Sequence, residues 1–140
     1  MLGQVLLFFY SQFMPKNGRF ISNGCILKPH EQKTVFFLLA HGHNIELIPA
    51  SSQPGIHTAD IVIDGITREL KAPLGDSKWT LSRNMKRGRK QSDKIIVDLF
   101  RCKRSENKSI RELNSYFSNN KKIKELWIIT RSGTIFTYKK

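Results

Sequence analysis

Asp64-Gly65 stands between two short runs, DIVI (60–63) and ITRELKA (66–72). Asp-Gly in that setting signals a two-residue hairpin loop, because both residues tolerate the positive φ that such a loop requires. A loop this short fixes the register on either side. Ile63 then pairs with Ile66, Val62 with Thr67, Ile61 with Arg68, and Asp60 with Glu69. Residues directly opposite have Cβ atoms about 4.5–5.5 Å apart, so two carboxylates there repel and call for a cation. Lys71 lies two residues past Glu69, on the same face by strand alternation. The register predicts that Asp60, Glu69 and Lys71 converge at one edge of a sheet.

The rest of the chain supplies what surrounds such a hairpin. Residues 1–28 read as a lead-in, with turn signals at Asn17-Gly18 and Asn23-Gly24. Its apolar run VLLFFY is too short to span a bilayer and lacks the flanks of a signal peptide, so it is either a packing strand or sequence ahead of a start at Met14. Residues 29–140 form the functional domain. A helix begins at Pro29 and stops at Gly42, with Val35, Phe36, Leu38 and Leu39 as its apolar face. NIELI is a strand ended by Pro49, and SSQPGIHT is a loop. After the hairpin, SKWTLSRNMKRGRKQS reads as a basic helix in spite of Gly88, and KIIVDLF as a buried strand. Ser109 and Glu112 have capping-box spacing, with Ile110, Leu113 and Phe117 on one helical face. ELWIIT and TIFTYKK close the chain as strands. The strand–helix–strand passage over 95–130 requires parallel pairing. The expected fold is α/β, a mixed central β-sheet with helices on both faces.

Charge narrows the partners. Lys and Arg number 24 against 11 Asp and Glu, a net charge of +13, which favours a polyanion. With 39% hydrophobic and 25% charged residues the chain is a globular protein rather than a membrane one. Cys25 and Cys102 have no CxxC spacing and read as idle thiols, not a zinc site.

Two hard carboxylates beside a lysine suit divalent-metal phosphodiester chemistry. Asp60 and Glu69 can hold Mg²⁺ or Mn²⁺, and Lys71 can orient a nucleophile or offset charge developing on phosphate oxygens. The same residues also suit a plain Lys71–Glu69 salt bridge beside an unrelated Asp60. Glu31, in the first turn of the first helix, can supply a third carboxylate or simply answer the helix dipole. Arg83, Lys86, Arg87 and Lys90, with Gln91 following Arg87 at i+4, make a stripe able to track a phosphate backbone. Trp79 could stack an unpaired base, as aromatic residues of RNA readers do, but a tryptophan is more often a core residue and it is not counted as a site. His57 is the best placed histidine for a metal-independent ribonuclease, although no histidine has an evident partner in the sequence.

Asp60, eight intervening residues, then Glu69-Leu70-Lys71 resembles the D…ExK core of the PD-(D/E)XK nuclease superfamily, with Ala59 where a proline often stands. The longer run ADIVIDG…ELKAP…KQSDKIIVDL resembles the C-terminal tRNA-nuclease domains of contact-dependent growth inhibition toxins and of related phage and mobile-element proteins. Gln91 and Ser92 match the glutamine and serine that those relatives carry before the buried strand. The resemblance implies a restriction-endonuclease-like core, metal-dependent cleavage of tRNA in the cytoplasm of a target cell, and an acidic immunity protein as partner. DNA cleavage by the same chemistry, or nucleic-acid binding without catalysis, are the alternatives.

Overall fold

The computed structural model describes residues 17–49 and 59–140. The VLLFFY run, Met14 and His57 lie outside the described residues. The chain divides into two compact units, Met1–Ile66 and Thr67–Lys140.

In the first unit, β1 (Phe20–Ile21) runs parallel to β2 (Ile45–Pro49), and β2 is antiparallel to β3 (Ala59–Ile63). The two-residue β1 lies within the lead-in, where turn signals and no strand were read over this stretch. The helix α1 (Pro29–Ala40) begins at its proline, and Gly42 follows it with φ +87°, a left-handed stop. Its buried stripe is Thr34, Val35 and Leu38. Phe36, expected on that face, is instead exposed, because successive helical residues turn by about 100° and Phe36 points away from the stripe set by Val35 and Leu38. Asp64 and Gly65 have φ 51° and 84°, the paired positive values of a type I′ turn. The Asp64 carboxylate steadies that turn: Oδ1 accepts from the Asn44 backbone N–H at 2.8 Å, and Oδ2 lies 2.7 Å from His43 Nδ1.

The second unit holds all but the first residue of β4 (Ile66–Lys71), then α2 (Thr80–Arg89), β5 (Lys94–Asp98), α3 (Glu106–Ser118), β6 (Glu125–Ile129) and β7 (Ile135–Lys139). Strands β4, β5 and β6 are parallel neighbours in that order, and β7 closes antiparallel to β6. The parallel pairing expected across 95–130 is present. Leu81 and Met85 of α2, Leu113 and Phe117 of α3, Ile95 and Val97 of β5, and Leu126 and Ile128 of β6 belong to one buried cluster. Both helices of this unit therefore cover one face of its strands. Two successive right-handed crossovers that step the same way along a sheet put their helices on the same side.

Two local features differ from the sequence reading or explain it. Gly88 is buried, and a Cβ there would come within 3.1 Å of Ile95 Cδ1, so the glycine lets α2 lie close to β5. Helix α3 starts a turn earlier than the Ser109–Glu112 spacing suggested. Ser105 is its N-cap residue, and buried Ser109 donates from Oγ to the Ser105 carbonyl at 2.8 Å. Glu106, in the first turn, accepts from the Arg131 backbone N–H at 2.8 Å. A carboxylate is favoured there by the helix dipole.

Candidate active site

Strand β4 places Glu69 opposite Ile95 and Lys71 opposite Val97 in the parallel ladder with β5. Both side chains thus emerge on the helix-covered face of the second unit. Lys71 Nζ lies 3.0 Å from Glu69 Oε1, and the two side chains keep 17% and 22% of their surface exposed. Gln91, two residues past the end of α2, completes the group. With its amide oriented to donate, Gln91 meets Glu69 Oε1 at 2.6 Å and Oε2 at 2.7 Å. The Gln91 backbone N–H is itself held by the Gly88 carbonyl at 2.9 Å, so the glutamine sits at a fixed exit from the helix.

A carboxylate offers about four lone-pair positions. Lys71 and Gln91 occupy three of those on Glu69, which leaves Oε2 able to take a cation. That oxygen is a hard donor, of the kind that Mg²⁺ or Mn²⁺ takes.

Asp60 is in the first unit, exposed at the second residue of β3, with Ile48 as its ladder partner on β2. Glu31 is the third residue of α1 and accepts the Lys28 backbone N–H through Oε1 at 3.0 Å. It thus satisfies a donor at the helix start. Among the described residues, no three His, Cys, Asp or Glu side chains are gathered so as to hold a metal ion.

On α2, Leu81, Met85 and Gly88 face the core. Arg83, Lys86, Arg87 and Lys90 are exposed, as the stripe requires, and Gln91 follows them. Arg89 is different: it is half-buried and donates to Asn120 Oδ1 at 2.6 Å, tying the end of α2 to the loop after α3.

Trp79 is 54% exposed, which removes the core role and leaves the other role that the sequence offered. With Tyr116 it lines two adjoining cavities between α2 and α3, of about 720 and 290 Å³. Lys108 and Arg111 of α3 also line the larger one. The sequence signal for Trp79 was its place between Lys78 and the basic helix. Tyr116, Lys108 and Arg111 carried none, because only the packing of α3 on α2 turns them toward this cleft. No helix among the described residues is long and apolar enough to cross a membrane.

Residues 57–135 match the family described as the contact-dependent growth inhibition CdiA C-terminal domain. That is more than half of the chain, and the chain belongs to this family. A chain from a CdiA-CT/CdiI toxin and immunity complex of Burkholderia pseudomallei is similar in fold, with a TM-score of 0.66 at 18% identity. The alignment covers 88% of this chain and 100% of that one. Comparison with curated proteins gives no match.

Proposed function

We propose that this chain is a toxin effector domain that cleaves RNA, most simply tRNA, by metal-dependent phosphodiester hydrolysis of the PD-(D/E)XK type. The observation that carries this reading is the state of Glu69. Its carboxylate is fixed by Lys71 and by the amide of Gln91, which directly follows the exposed cations of α2 in the chain, and it keeps one lone-pair position on Oε2. A merely structural Lys–Glu pair needs no third residue to orient it.

Glu69 would hold the divalent ion, and Asp60 joins it on the strength of the D-x8-ExK spacing in the sequence. Such an ion, when bound, polarises the phosphate and lowers the pKa of a water. Lys71 offsets charge that develops on the phosphate oxygens. Gln91 keeps the Glu69 carboxylate in one orientation, as outer-shell partners of metal ligands do. Arg83, Lys86, Arg87 and Lys90 track the backbone and supply affinity through counterion release. An acidic immunity protein is the partner that family membership and a charge of +13 favour.

The deciding experiment is incubation with total tRNA and with plasmid DNA, in Mg²⁺ and in EDTA. The wild type is expected to cut tRNA in Mg²⁺ alone and to leave the plasmid intact. Glu69→Gln and Asp60→Asn should each fold and bind RNA, yet cleave at least about a hundred-fold more slowly, beyond the loss typical of an outer-shell partner. Plasmid cleavage would move the substrate to DNA. Undiminished cleavage by both variants in EDTA would refute the metal mechanism.

A further inference from the structure

The two cavities between α2 and α3 lie outside the Glu69 group and share three lining residues, Trp79, Ser82 and Tyr116. The larger, at about 720 Å³, falls within the range of roughly 300–1,000 Å³ usual for small-ligand pockets. Its floor is apolar: Leu81, Met85 and Leu113 line it and are almost fully buried. Its rim is cationic, with Lys78, Lys108 and Arg111, and the smaller cavity adds Arg83 and Lys86. The carboxylate of the larger cavity, Glu112, is already paired with Arg104 and does not offset that rim. Lys78 Nζ lies 4.9 Å from the centre of the Trp79 ring, so a cation stands at the ring itself.

Each part of this arrangement selects against a different occupant. A phosphate backbone alone would need the cations but neither an apolar floor nor an exposed ring. A duplex keeps its base faces stacked inside and cannot offer one to a side chain. A free apolar molecule would have no use for five cations. An unpaired nucleotide uses all of it, its base against the aromatic and apolar surface and its phosphates against the rim.

We infer that the α2–α3 cleft holds an unpaired RNA nucleotide, stacked on Trp79 and bordered by Tyr116, with its phosphates met by Lys78, Lys108 and Arg111. This deepens the RNA reading proposed above and rests on it for the choice of RNA. It makes the basic helix a strand track with an anchoring base, and it selects loops or free ends over helical stems.

The test is binding of a fluorescent oligoadenylate and of a blunt RNA duplex of equal length, by anisotropy in EDTA, so that cleavage plays no part. Trp79→Ala is expected to weaken oligoadenylate binding by about 5- to 150-fold, the effect of losing one base–aromatic stack. Duplex binding, which is electrostatic, should change by no more than about two-fold. Trp79→Phe should recover most of the lost affinity, and Tyr116→Ala should fall between. Trp79 is exposed, so the variants should fold, which circular dichroism verifies. Equal losses for both RNAs, or no loss for either, would overturn the inference, the latter result leaving the cleft to a protein partner. The two proposals fail separately. Stacking without cleavage in Mg²⁺ would sink only the nuclease reading, whereas tRNA cleavage with Trp79-independent oligoadenylate binding would sink only this one.

Discussion

Arg68 and Glu69 are neighbours on β4, and each takes part in an ion pair, but on opposite faces of the strand. Arg68 Nη2 lies 2.7 Å from Glu125 Oε2, with side chains only 6% and 11% exposed, and its guanidinium stacks 4.2 Å from the centre of the Trp127 ring. Its Nε and Nη1 have no hydrogen-bond partner among the described residues. Glu69 and Lys71 are more open, and a third side chain, Gln91, orients the carboxylate. The contrast separates two uses of the same chemistry. A buried pair with unsatisfied nitrogens is held in place by its surroundings and is closed to substrate. A partly exposed pair with one carboxylate lone pair left over contributes little to folding and can meet a ligand.

The largest expected effect is on the buried face. Glu125→Ala leaves Arg68 charged and unpaired, which typically costs about 3–5 kcal/mol. That is a large part of the roughly 5–15 kcal/mol available to a domain. Urea unfolding measures it, and the double replacement Arg68→Met/Glu125→Leu should restore most of the loss, since two apolar side chains leave no buried charge. If Glu125→Ala proved harmless, the distinction between the faces would fail.

Gln91→Ala probes the open face. As the loss of an outer-shell partner it should reduce cleavage or metal affinity by about 10- to 100-fold, while stability moves by less than about 1 kcal/mol, as for other partly exposed polar contacts. Activity intact with stability lost would make the open pair structural as well. The smallest effect sharpens the role of the basic helix. In Arg83→Ala/Arg87→Ala the slope of log binding constant against log salt should become shallower by about 0.7 for each phosphate contact removed from a single strand. An unchanged slope would place the substrate track elsewhere.

Much of this was legible in the sequence because it depends on near neighbours. Pro29 and Gly42 bound α1, Asp64-Gly65 forms its type I′ turn, and Leu113 and Phe117 mark the buried side of α3. Glu69 and Lys71 meet because strand alternation puts them on one face. At α3 the local signal misled: Ser109 and Glu112 have capping-box spacing, but the helix starts a turn earlier, after Ser105. The same holds for Phe36, one residue away from the correct stripe.

What the sequence determined by itself was the element order, the hairpin turn, the charge and the ExK carboxylate–lysine pair, all set by backbone preference and short-range alternation. Only the tertiary structure decided that both helices of the second unit share one face, that Gln91 reaches Glu69, that Arg68 is buried against Trp127, and that Trp79 opens to solvent beside Tyr116. These depend on which distant segments pack together. A sequence records the side chains and their local spacing, but burial and the meeting of residues tens of positions apart are set by the packing of whole elements.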